Sequence, residues 1–141
     1  MDTNVLVAGA CRREGSRAYG MLCGVLSGQV PLILTPAIAL EYEDVLVRPA
    51  VLKLTGLSQE ESIDLVTDLM ALSLRMQTRF SWRPNLRDEG DNKFVNAAVH
   101  AAAIIVTYND ADYRDGDLVR HGWAAMSPEE SLTRYEIKEV L

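Results

Sequence analysis

No stretch of about 18 or more apolar residues runs without a charge, and the first residues lack the basic-then-apolar order of a secretory leader. A soluble, cytoplasmic protein with no membrane partner is therefore expected. Cysteine is scarce: Cys11 and Cys23 stand well apart, with no CxxC spacing and no neighbouring histidine pair. That argues against a zinc site or a redox dithiol and favours two reduced, structural thiols. A positive excess is missing too, since the formal net charge is -6 at pH 7. Binding to nucleic acid by bulk attraction to phosphate is thereby disfavoured, but not a nuclease whose metal-binding acids are themselves negative. Repeats, linkers and low-complexity segments are absent as well. What is there is 141 residues, 48% of them hydrophobic. This is enough for one core and too little for two ordinary ones, so a single domain over residues 1–141 is expected.

Short apolar runs alternate with longer segments of helical period. "NVLVAG" (4–9) and "VPLILT" (30–35) read as buried strands, and Ala18, Leu22, Val25 and Leu26 between them share one helical face. That is a β-α-β unit, which favours a parallel sheet. "PAIALEYEDVLVRP" starts with a proline suited to a first helical turn and stops before Pro49. Ser58 and Glu61 form a capping box ahead of a long helix carrying Ile63, Val66, Leu69 and Met70, and Ser127 with Glu130 forms a second at the last helix. "KFVNAAVHAAA" reads as helix, "AIIVTYND" as a buried strand leading into a turn, and "WAAM" as a short strand. The fold expected is α/β, a three-layer α/β/α sandwich around a mainly parallel central sheet.

In open parallel sheets the ligand site lies beyond the carboxyl ends of the strands. Acids gather near such positions from four separated segments: Asp2, Glu41 with Glu43, Asp88 with Asp91, and Asp110 with Asp112. The opening carboxylate in "MDTNVLV", beside a hydroxyl and an amide, needs compensation by a helix cap, a tight turn or a metal ion. Several carboxylates within a few ångströms repel one another and raise one another's pKa. Between Asp88 and Asp117 the acids outnumber the bases, so a hard dication, Mg²⁺ or Mn²⁺, is the better counter-charge than lysine or arginine. Such an ion supports phosphodiester hydrolysis without a histidine or thiol nucleophile. Taken alone, Asp91 reads equally well as a helix cap. Glu43 is two residues from Glu41 and points elsewhere, into solvent. Arg12, Arg13 and Arg17, just after the first apolar run, suit RNA phosphates or form a solvated cluster.

The ordered set "DTNVLV", "LTPAIALEYEDVLVRP", "RDEGDNKFVNAAVHAAA" and "IVTYNDADY" resembles the PIN domain, especially the VapC-like toxins of bacterial toxin-antitoxin pairs. The similarity spans almost the whole chain. It implies a metal-dependent endoribonuclease with RNA as substrate, a cognate antitoxin that occludes the groove, and a homodimer. Carried over residue by residue, the resemblance implies Asp2, Glu41, Asp91 and Asp112 as catalytic acids. The same four, with Asn109, would hold one or two Mg²⁺ or Mn²⁺ ions, supported by Asn4 and Thr107. The chain departs from the family pattern twice. Asn109 stands where many relatives carry an acid, and only Met1 precedes Asp2, where such domains usually have several strand residues; a shortened start or a truncated first strand is expected. Two other readings stay open: a non-catalytic PIN-like module that binds RNA or protein, and, ranked last, a Mg²⁺-dependent phosphotransfer enzyme on a related doubly wound fold.

Overall fold

The backbone N–H of Thr3 donates to the Asp2 carboxylate at 2.7 Å, and the chain turns at once into helix α1, Thr3–Ala10. "NVLVAG" is therefore helix, which corrects the strand expected from its apolar run. The physical reason is burial on more than one side. Leu6 and Ala10 belong to the larger core cluster, while Val5 packs into a second one with Ala18, Met21, Val106 and Leu132. A short helix buried all round reads as an unbroken apolar run, which periodicity alone does not separate from a buried strand.

The computed structural model describes residues 1–75, 93–94, 97–98, 103–109, 113 and 125–135. After α1 come α2 (Arg17–Leu26), β1 (Ile33–Leu34), α3 (Pro36–Leu46), α4 (Pro49–Thr55), α5 (Gln59–Leu72) and β2 (Leu74–Arg75). β3 (Ile105–Val106), β4 (Ala125–Met126) and α6 (Pro128–Arg134) follow. Lys93, Phe94, Ala97 and Ala98 are helical, in keeping with the small-residue segment. The class is α/β, mostly helical, with parallel strand pairing. β1 pairs with β2 and β3 with β4, in two separate two-stranded ladders among the described residues.

The helix boundaries follow local chemistry. Thr35 caps α3 through the N–H of Ile38, with Pro36 in the first turn. Ser58 with Glu61 and Ser127 with Glu130 form both expected capping boxes; each cap is worth about 1 kcal/mol. Leu22, Val25, Leu34, Ile38, Leu46, Val66 and Leu69 converge in the main core. Leu26 and Ile63, expected on buried faces, are partly exposed at 39% and 37%, because they sit at the margins of their helical stripes.

α1 and α2 approach closely at Gly9. A Cβ there would lie 2.8 Å from the backbone oxygen of Ala18 and 3.1 Å from Cβ of Leu22. Neither neighbour yields by a simple rotamer change. Gly9→Ala gains about 1 kcal/mol of helix propensity and costs about 1–3 kcal/mol of overpacking. A net loss of stability is the expected outcome of urea denaturation; a more stable variant would show that the helices slide apart freely.

Candidate carboxylate site

Asp2 is buried, at 5% exposure, and its carboxylate is held from several parts of the chain. Its Oδ1 accepts from the N–H of Thr3. Its Oδ2 accepts from Thr107 Oγ1 at 2.6 Å, Asn4 Nδ2 at 3.2 Å and Tyr113 Oη at 3.3 Å. The backbone N–H of Asp2 donates to the carbonyl of Val106 at 2.8 Å, tying this corner to the end of β3. Thr107, fully buried, is oriented in turn by the N–H of Asn109 at 3.0 Å. Asn4 accepts from the N–H of Tyr108 at 3.3 Å through its own Oδ1. A buried carboxylate with this many donors is a satisfied group rather than a liability.

Glu41 projects from α3 to the same place. Thr3 Oγ1 donates to Glu41 Oε2 at 2.5 Å, so one hydroxyl and its own backbone N–H connect the two acids. Lys93 Nζ donates to Glu41 Oε1 at 3.0 Å, with both side chains about a quarter exposed. Glu43, on the same helix, is exposed, as its spacing implied. Tyr42, between them, is fully buried and donates its hydroxyl to the carbonyl of Met1. Burial pushes the Tyr42 phenol far up, and the negative charges of Asp2 and Glu41 push it the same way, so it serves as a neutral donor. Burial also lowers the Met1 amine from 8.0 to about 6, although the Asp2 charge acts in the opposite direction.

Of the residues expected at the site, the structure thus brings together Asp2, Asn4, Glu41 and Thr107. Asp91 and Asp112 lie outside the described residues. Asn109 is exposed and contributes its backbone N–H to Thr107. Arg12, Arg13 and Arg17 are exposed, and Arg12 borders the same depression as Glu61, Asp64 and Asp68 of α5, beside acids of its own chain. Sequence reasoning passed over Thr3, Lys93 and Tyr113. Lysine was set aside as a counter-charge there, yet Lys93 supplies one to Glu41. Its place two residues after Asp91, in a chain of only three lysines, was the available signal.

The oxygen atoms gathered here are hard donors, two carboxylates with the Thr3 and Thr107 hydroxyls beside them, while Asn4 turns its Nδ2 to Asp2 and its Oδ1 to the N–H of Tyr108. Among the described residues no three His, Cys, Asp or Glu side chains converge on one point. Mg²⁺ commonly needs only one or two carboxylates, the rest of its shell being water and substrate phosphate. Asp2 through Oδ1 and Glu41 through either oxygen retain lone pairs for that purpose. The residues present fit such an ion. Among the described residues no helix is long and apolar enough to cross a membrane.

Compared with known families, residues 1–111 match the model of the PIN domain. No curated protein and no solved structure matches the chain.

Proposed function

Because the chain belongs to the PIN-domain family, whose members are commonly nucleases and typically use divalent metals, we propose that it is a metal-dependent endoribonuclease. The observation that carries this reading is the meeting of Asp2 and Glu41 through Thr3, two acids far apart in sequence. Asp2 and Glu41 would hold Mg²⁺ or Mn²⁺, with Asp91 and Asp112 as further acids. When bound, the ion supplies charge neutralisation at the phosphodiester and lowers the pKa of water. The chain's own residues do the positioning. Thr107, Asn4 and Tyr113 hold the Asp2 carboxylate in one rotamer, and Thr3 and Lys93 hold Glu41. Hydrolysis at phosphorus with departure of the 3′ oxygen leaves a 5′-phosphate. The same reading makes the protein the toxin of a toxin-antitoxin pair, acting as a homodimer and inhibited by an antitoxin that covers these carboxylates.

The test is cleavage of an unstructured RNA by purified protein with Mn²⁺ or Mg²⁺ and, separately, with EDTA. Cleavage to 5′-phosphate ends that stops in EDTA and returns with Mn²⁺ is the expected result. Undiminished cleavage in EDTA overturns the metal-dependent reading. No cleavage together with no Mn²⁺ binding at millimolar concentration would establish the alternative, a non-catalytic RNA- or protein-binding module.

A further inference from the structure

Glu41 divides its two oxygens between a neutral and a charged partner. Oε2 accepts from the hydroxyl of Thr3, the residue whose N–H caps Asp2, and Oε1 accepts from the Lys93 ammonium at 3.0 Å. Among the described residues the side-chain donors to Asp2 are neutral: Thr107, Asn4 and Tyr113. Lys93 therefore brings to this corner a positive charge carried by the chain itself. The buried ring of Phe94, its neighbour on the same helical turn, gives that charge a second support, with Nζ 5.8 Å from the ring centroid.

A positive charge at this place has a consequence for any other cation. Oε1 keeps a lone pair beside Lys93, but an ammonium at 3.0 Å repels a cation that would use it, and it cancels part of the attraction that the two carboxylates exert together. The Lys93–Glu41 pair is also easily parted. Its side chains are 26% and 28% exposed, and an ion pair in contact with water is weakly held. Lysine carries a compact point charge on a flexible four-carbon stem, and such a charge binds phosphate. An RNA backbone offers that alternative partner.

We infer that Lys93 is a tethered counter-cation that sits on Glu41 in the free protein and passes to an RNA phosphate when RNA binds, so that the carboxylates take a dication together with RNA rather than before it. The inference rests on the metal-dependent nuclease reading and deepens it. Thr3 keeps Glu41 beside Asp2 through Oε2 after Lys93 has left Oε1. Coupling of this kind is reciprocal: whatever removes Lys93 from Glu41 strengthens cation binding, and whatever removes the Glu41 charge frees Lys93 for phosphate.

The experiment uses the 141-residue protein, Lys93→Met, Lys93→Arg, Glu41→Gln and the Glu41→Gln/Lys93→Met double variant, each checked for folding by its melting temperature, with Lys93→Gln as the second charge-removing variant should Lys93→Met not fold. Mn²⁺ affinity is measured without RNA from the electron paramagnetic resonance signal of the free ion. Binding of a short unstructured RNA is measured in EDTA across a range of salt concentrations. Lys93→Met is expected to bind Mn²⁺ about tenfold more tightly than the parent, and Lys93→Arg, which keeps the charge, to stay within about threefold of it. Glu41→Gln should steepen the dependence of log affinity for RNA on log salt by about 0.7, the share of one added phosphate contact on a single strand; adding Lys93→Met should remove that gain. A lysine that merely props Glu41 in place would give the opposite sign, weaker Mn²⁺ binding in Lys93→Met. Equal or weaker Mn²⁺ binding by the folded charge-removing variant, or a salt slope that Glu41→Gln leaves unchanged, would overturn the assignment and leave the nuclease reading standing. Absence of Mn²⁺ binding in every chain would overturn both.

Discussion

Asp2→Ala is expected to lower the stability of the protein by about 3–5 kcal/mol in urea denaturation, through loss of a helix cap and of several hydrogen bonds from neutral donors to one buried carboxylate. The carboxylate is a helix cap worth about 1 kcal/mol. It is also the acceptor for Thr107, Asn4 and Tyr113, and bonds to a charged group contribute about 1.5–3 kcal/mol each before losses overlap. Truncation leaves the Thr107 hydroxyl buried without this acceptor. Asp2→Asn keeps the volume and the cap but turns one acceptor into a donor facing donors, so about 1–3 kcal/mol is expected from it. A loss below about 1 kcal/mol for Asp2→Ala would mean that this corner is open to water and that the residue has little structural role. Because the acid is both support and candidate ligand, loss of activity in this variant by itself proves nothing about metal chemistry.

Glu41→Gln separates the two roles. The Glu41 side chain is about a quarter exposed, at 28%, and the amide preserves its shape, so stability should change by no more than about 1–2 kcal/mol. Metal-dependent RNA cleavage should fall at least about 100-fold, since even the outer partners of metal ligands cost 10–100-fold. Asp91→Asn is expected to behave in the same way, abolishing cleavage without unfolding the chain. Full activity in folded Glu41→Gln would remove Glu41 from the machinery and reduce its contact with Thr3 to a structural one. Mn²⁺ binding measured beside the cleavage assay separates a lost ligand from a mispositioned substrate.

Much of this architecture was legible because its signals are local. Ser58 with Glu61 and Ser127 with Glu130 announce helix starts through side chains that reach backbone groups three residues away, and the structure shows both capping boxes. The proline at 36 works over the same short range. The misread segment, 4–9, failed for a related reason. Its apolar run is compatible with either element, and the deciding sign was the cap residue Asp2, which the residues alone left open as cap, turn or ligand and the family resemblance assigned as a metal ligand. It is a cap in the structure and remains a candidate ligand, because Oδ1 takes the cap bond with one lone pair and keeps the other, while Oδ2 accepts from Thr107, Asn4 and Tyr113.

The residue order by itself determined the α/β class, most helix starts and the choice of Asp2, Glu41, Asn4 and Thr107 as a group, because caps act within one turn and the family's motifs are written as ordered residue types. Only the tertiary structure decided how they meet. Thr107 reaches Asp2 across 105 positions, Lys93 reaches Glu41 across 52 and Thr3 reaches Glu41 across 38. Contacts of that span depend on how helices and strands pack, and no periodicity within a window of a few turns encodes which hydroxyl or ammonium will face a given carboxylate.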